Sequence, residues 1–445
     1  MSLLKSKKES YSLAIADKFV NVRNPSLFWS AVRSCRLKHT SEEHISTEGW
    51  SEFLSIVYPA RVNSSLTFYG ALDSFLDLDI TLVELSNCIS GSKRGKAPGF
   101  DGLTNEFFKA LTNEWLEYLK NLFNKILNSE EFPGSWSRVA STMLHKKGSR
   151  SDPLNYQGIA LINVIMKLFT QIICNRLTLW VNQANFLPEE QAGFRKPRGV
   201  MDNIFVLLVT IQMHLRRRGN KVYALFVDFR HAFDSIPQSL LWQKMYQLSV
   251  SPKLIRVIKS LYDAATIQVR TQTGYSSEVE VSEGVLQREI LSPLLFIIFI
   301  ADIIPYFCAR GARGININDV MDLLMTLYAD DLVILAYSPA DLRQKLRILS
   351  DYCSENGLTV NIRYIIKLEL GLPPITVKIA QLALRWITKI LRMGEHRLPK
   401  IVFSRLLRLT DLGMLNSEFS WVLQLKSLLE QANSEDLWVN LSADH

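Results

Sequence analysis

The chain has 445 residues, 48% hydrophobic and 21% charged, with a formal net charge of +8. That composition is globular, buries a large core in two or three packed lobes and, through its positive excess, favours a polyanionic partner. The five cysteines, Cys35, Cys88, Cys174, Cys308 and Cys353, form no C-x-x-C or Cys/His cluster, which excludes a thiolate metal site and reads as reduced packing residues of an intracellular protein, nuclear or cytoplasmic.

Residues 1–90 read as a helical N-terminal extension. Met1 to Leu13 is rich in lysine and serine and has no apolar signal core, and Phe28, Trp29, Trp50, Phe53 and Tyr58 supply packing. Next, Gly95-Lys96-Ala97-Pro98-Gly99-Phe100-Asp101-Gly102 is a turn-rich loop before a helix containing Phe107, Phe108 and Leu111. Such a loop is either a connector or a source of backbone N–H groups for phosphate. Trp115 to Leu127 has helical spacing, and Phe132-Pro133 ends it. The strand-like Arg138 to Leu144 then feeds a charged tip, His145-Lys146-Lys147-Gly148, and Asn155 to Leu161 reads as the return strand. Lysines on such a tip are either a solvated face or a grip for a triphosphate.

A long helix is predicted over Val164 to Ala184. The loop Glu190 to Arg198, with Phe194 among Arg195, Lys196 and Arg198, mixes bases with an aromatic and suits a template backbone and its stacked bases. Asp202 to Leu215 is helical again, and Arg216-Arg217-Arg218-Gly219 closes it as dipole-complementing arginines and a terminal glycine, with no ligand needed. The longest apolar run, Leu294 to Ala301, is too short to span a bilayer, so no membrane is expected.

Two acidic segments carry the chemistry. Tyr223 to Phe229 is an apolar strand that places Asp228 where a carboxylate is costly unless paired or bound to a cation, and no base lies within the strand. Tyr328-Ala329-Asp330-Asp331 sits between the apolar runs Leu323 to Leu327 and Leu332 to Ala336, a strand-turn-strand corner that holds two carboxylates at a surface. Alone, the tetrapeptide is a solvated hairpin turn, and Asp228 caps a helix opening at Phe229 to Asp234. Together, they make a platform for two hard cations about 3.5–4 Å apart, as used for in-line displacement at phosphorus.

In order, Gly95 to Asp101, His145 to Gly148, Asn155 to Leu161, Gln191 to Arg195, Phe226 to Asp234, Gly284 to Phe296 and Tyr328 to Asp331 resemble the reverse transcriptase of jockey-like non-LTR retrotransposons over about residues 91–363. The resemblance implies an α+β right-hand polymerase fold of fingers, palm and reduced thumb. It further implies RNA-directed DNA polymerase activity on an RNA template, a DNA primer and dNTPs. Asp228, Asp330 and Asp331 match the palm carboxylates that hold two Mg2+ ions, which Mn2+ can replace. Phe233 matches the aromatic under the sugar, which excludes a 2'-hydroxyl. Lys146 and Lys147 match triphosphate contacts, and Gln287 falls in the segment lining the nucleotide pocket.

The chain also departs from that pattern. Gln157 stands where the family usually has Arg, and Arg288 where it has Gly. After Gly357 to Asn361 the sequence passes within a few residues to Glu369-Leu370-Gly371-Leu372-Pro373-Pro374. This predicts a deletion near Arg363 that removes the end of the palm and most of the thumb, and no endonuclease domain is expected before residue 91. The expected division is therefore 1–90, 91–363 and 364–445. In the last part, Thr376 to Met393 has an apolar stripe (Ile379, Leu382, Ala383, Trp386, Ile390) fit to be a partial thumb, and Asn433 to His445 reads as unstructured. An inactive protein that binds RNA or an RNA–DNA hybrid is the alternative. An RNA-directed RNA polymerase is disfavoured by Phe233 and by Tyr328-Ala329 before the paired aspartates.

Overall fold

A computed structural model describes residues 45–61, 66–146, 148–215, 220–317, 321–368, 390, 393–394 and 397–411. The helices α1 (Thr47–Val57), α2 (Leu82–Gly91), α3 (Asn105–Lys109) and α4 (Asn113–Ser129) precede a hairpin of β1 (Arg138–His145) and β2 (Tyr156–Leu161). Then come α5 (Val164–Ala184), α6 (Val200–Leu215), β3 (Val222–Phe229), α7 (Gln238–Gln247), α8 (Pro252–Asp263), β4 (Thr266–Val269) and β5 (Val279–Glu280). The order continues with α9 (Ser292–Phe299), α10 (Ile303–Ala309), β6 (Ile315–Asn316), β7 (Asp322–Leu323), β8 (Met325–Tyr328) and β9 (Asp331–Ala336). It ends with α11 (Pro339–Glu355), β10 (Val360–Leu368) and α12 (Leu398–Asp411).

Local chemistry accounts for many of these bounds. Thr81 and Glu84 form a reciprocal capping box at α2. Ser251 and Ser338 each accept an N–H of the first turn of α8 and α11, with proline just inside. Burial of Arg176 on α5 ties the segment before α2 to the fold. Its guanidinium meets Glu84 at 2.7 and 2.9 Å and the carbonyl of Asp79 at 3.0 Å. Desolvation pushes the Glu84 carboxyl up, but Arg176 and Thr81 more than offset it and hold the group below its ordinary value. The chain divides into two compact units, Met1–Ser46 and Thr47–His445.

Two sheets position the site. One has the order β2-β1-β4-β5, with β1 antiparallel to β2 and parallel to β4. The other, β10-β3-β9-β8, is antiparallel throughout. On one face of this second sheet, Val222, Ala224 and Leu335 pack with Phe205 and Val209 of α6 and with Val402 and Phe403 of α12. The opposite face buries Leu225, Val227, Phe229, Leu332 and Ile334, and the Phe229 ring meets Phe296 of α9 edge-on. Alternate residues of β3 thus serve two buried layers, which is why the strand reads as a nearly continuous apolar run.

The structure changes three sequence expectations. First, Phe229 to Asp234 is not helical: residues 230–235 form turns and the next helix starts at Gln238, so Asp228 lies within β3 and not at a helix start. Second, β10 runs past Arg363 to Leu368 and stays paired with β3, its register shifting between Ile362 and Tyr364. The irregularity lets one extra residue through without ending the ladder, so the strand that closes this sheet is present. Third, two stretches, Val164–Ala184 and Ser292–Ala309, are long and apolar enough to cross a membrane by length and composition. The second joins α9 to α10, where the sequence reading ended the apolar run at Ala301. More than half of each is buried, and core helices of soluble proteins satisfy the same criterion. The stripe Ile379 to Trp386, the arginines 216–218 and the tail from Asn433 lie outside the described residues. Cys88, Cys174, Cys308 and Cys353 are free thiols; Cys35 lies outside the described residues.

Candidate active site

The acidic residues meet through strand register. Asp228 at the end of β3 is opposite Asp331 at the start of β9 and, on its other side, opposite Asn361 of β10. Asp331 is in turn opposite Tyr328 of β8. Directly opposed residues of antiparallel strands project to the same face, so Asn361, Asp228, Asp331 and Tyr328 form one row across four strands. Asp330 sits in the turn between β8 and β9, and its carbonyl accepts the Phe229 N–H at 3.4 Å. Asp228 and Asp330 are half-buried and Asp331 is exposed.

These donors are hard oxygens. Among the described residues, no three His, Cys, Asp or Glu side chains close into a metal cluster, so the arrangement is a facing pair with a third carboxylate in the adjoining turn, not a finished cage. That suits Mg2+, which takes one or two protein carboxylates and completes its octahedron with water and substrate phosphate.

The turn between β8 and β9 is built with outside help. Ala329 has φ +60°, a left-handed conformation that costs an L-residue roughly 1–2 kcal/mol, and it is 5% exposed. The segment 190–193 runs along β8 as a short parallel partner: Leu327 N–H donates to Glu190 O and Ala192 N–H to Leu327 O, both at 3.0 Å. Gln191, 1% exposed, accepts the N–H groups of Gly193 and Ala329 on its Oε1 at 2.8 and 3.1 Å. Asn203 of α6 donates to Leu327 O at 2.7 Å. A Cβ on Gly193 would lie 2.1 Å from the Ala329 nitrogen, so the close approach requires glycine.

This bears on the residues expected to meet a template. Arg195 is 8% exposed, and its Nη1 donates to the carbonyls of Pro188 and Gln191 at 2.6 and 3.2 Å. Burial, with Arg198 nearby, lowers its pKa to about 10. Its guanidinium organises the loop that carries it, whereas Lys196 is exposed. Sequence reasoning missed Gln191 and Gly193 as supports of the aspartate turn, and Asn203 as a brace of β8 before it, because these contacts span more than a hundred residues of chain.

A second turn, residues 230–235, flanks the row. Phe233 stacks on Phe296 (ring centroids 5.3 Å apart, planes at 29°) and meets the exposed Phe194 edge-on at 6.4 Å. The segment after β5 clamps this turn, with Val285 N–H on Phe233 O at 2.6 Å and Gly284 N–H on Ile236 O at 2.8 Å. Gln287 donates to Asp234 Oδ2 at 2.5 Å. Burial pushes the Asp234 carboxyl up, opposed by that hydrogen bond. Phe233 and Gln287 therefore belong to one assembly, with Asp234 as its anchor. Lys146 is exposed beyond β1, its N–H bonded to Asn155 O at 2.9 Å. Gln157 is opposite Leu144 in the same hairpin, and Lys147 lies outside the described residues.

Arg288 is exposed and has φ +69°, so a non-glycine residue occupies a glycine-like conformation. Arg288→Gly is expected to stabilise the protein by roughly 0.5–1 kcal/mol, relief of the left-handed strain outweighing the extra unfolded-chain entropy. The check is the denaturant midpoint at constant slope, and an unchanged or lower midpoint would rule out strain there.

Residues 144–363 match the family described as reverse transcriptase (RNA-dependent DNA polymerase). The chain is 31% identical over 291 residues to the probable RNA-directed DNA polymerase from transposon BS of Drosophila melanogaster, covering 63% of this chain and 31% of that protein. It is 30% identical over 263 residues to the RNA-directed DNA polymerase from mobile element jockey of the same fly, covering 58% and 28%. The chain thus spans less than a third of the length of these relatives. Among solved structures, apo telomerase from Candida tropicalis, truncated from its C-terminal domain, aligns with TM-score 0.40 and 15% identity over 62% of this chain and 58% of that one.

Proposed function

We propose, from the premise that this chain carries a reverse transcriptase domain of the jockey-like non-LTR retrotransposon family, that it is an RNA-directed DNA polymerase adding dNMP to a DNA primer on an RNA template. The observation that carries the proposal is the row in which Asp228 faces Asp331 beside the turn bearing Asp330.

In the proposed reaction the primer 3'-hydroxyl gives its proton to water and its oxygen attacks the α-phosphorus of a dNTP. The new P–O bond forms as the α–β phosphoanhydride breaks, and pyrophosphate leaves. Asp228, Asp330 and Asp331 would hold two divalent cations, Mg2+ or Mn2+, which lower the pKa of the attacking hydroxyl and offset charge on the leaving group. The half-buried sheet end keeps the carboxylates fixed while the substrate face stays open. Phe233, stacked on Phe296, would lie beneath the sugar and exclude a 2'-hydroxyl. Gln287, tied to Asp234, shapes the adjoining wall. Lys146 and Lys147 would meet the triphosphate. Lys196 would meet the template backbone, with Arg195 shaping the loop beneath it.

The test is primer extension by the purified chain on an RNA template with dTTP and Mg2+, beside Asp330→Asn. Template-dependent incorporation that disappears in the variant is the expected result. A chain that binds hybrid but incorporates nothing in Mg2+ or Mn2+ would replace this reading with binding alone.

A further inference from the structure

We infer that Gln191 is a positioning residue for the metal platform: by accepting the Ala329 N–H it fixes the turn whose carboxylates, Asp330 and Asp331, face Asp228. The inference rests on the reading of those three residues as cation ligands and adds to it a residue that does not touch the cations. Three observations lead here. Ala329 keeps a left-handed backbone although it is not glycine, so the turn relaxes unless something outside it holds that conformation. The Gln191 carboxamide oxygen takes two N–H groups at once, one in its own loop and one in the turn, the latter 138 residues from Gln191 in sequence. Moreover, the joint is buried and tight: Gln191 is 1% exposed, and Gly193 approaches the Ala329 nitrogen where even a methyl group would collide.

A side chain of this kind acts as the partners behind a metal's ligands do, by orienting them, and losing such partners typically weakens metal affinity 10- to 100-fold. Asn203 provides the internal comparison. It braces the same stretch by holding Leu327 O, but that bond lies in the strand before the turn.

The experiment measures Mn2+ binding to the full chain by electron paramagnetic resonance of the free ion, with thermal unfolding in parallel. The samples are wild type, Asp330→Asn, Gln191→Met and Asn203→Leu. Gln191→Met, isosteric but lacking the acceptor, is expected to weaken Mn2+ binding about tenfold, with Asn203→Leu within about twofold of wild type even where it melts earlier. Equal weakening in the two variants, or wild-type affinity in Gln191→Met, overturns the inference. Wild-type affinity in Asp330→Asn instead overturns the metal reading on which it rests. Should Gln191→Met not fold, Gln191→Asn, whose oxygen falls one methylene short of the turn, carries the same comparison.

Discussion

Asp228→Asn is expected to cut primer extension roughly a thousandfold while leaving the melting temperature in metal-free buffer unchanged or raised. The carboxamide keeps the size of the side chain and its place opposite Asp331, but it removes an anionic ligand from the proposed cation platform. Metal-ion catalysis supplies several kcal/mol of transition-state stabilisation, and about 4 kcal/mol corresponds to three decades in rate. Stability moves the other way because like charges directly opposite across two strands repel. Single-nucleotide incorporation and thermal unfolding, measured on one preparation, separate these effects. Parallel loss of activity and stability would make Asp228 a structural residue of β3 instead.

Gly193→Ala is expected to lower stability by about 3 kcal/mol and incorporation with it. Its new Cβ meets backbone on the far side, 2.1 Å from the Ala329 nitrogen and 2.8 Å from the Ala329 Cα. No rotamer relieves such a collision, so either the 190–193 segment leaves β8 or the aspartate turn shifts, the upper end of ordinary overpacking costs. Gly199→Ala is the matched control, since a Cβ there meets nothing within 4 Å. Chemical denaturation of both variants decides the matter: comparable stability would mean that the loop gives way freely and does not brace the turn.

Legibility in the sequence follows the range of the interactions. The helix over Val164–Ala184, the β1–β2 hairpin and the aspartate corner were readable because apolar periodicity and strand bounds are set by neighbours along the chain. The pairing of Asp228 with the Tyr328–Asp331 turn was readable from chemistry, since a carboxylate inside an apolar strand needs a reason. The alternative of a helix opening at Phe229 fails because the fold of residues 230–235 is imposed by Val285 and Gly284, about fifty residues later. The end of the sheet departs from the sequence expectation for a similar reason. After Arg363 the side-chain pattern departs from the family, yet β10 needs only backbone hydrogen bonds to β3, and a register shift absorbs the mismatch. Composition records that a base is present at Arg195 but not that its guanidinium turns inward onto the carbonyls of its own loop.

The order of pairing in the sheet bears on how the chain is born. β3 is an inner strand, yet both its neighbours, β9 and β10, come later, the nearer beginning at Asp331. During synthesis at about 5–20 residues per second, the apolar segment Val222–Phe229 leaves the ribosome with both edges bare and waits on the order of 5–20 s for its first partner. An unpartnered hydrophobic strand is a template for pairing with other chains. This protein therefore meets an aggregation hazard while it is being made, and synthesis halted before Asp331 leaves a product that cannot cover that strand with β9 or β10.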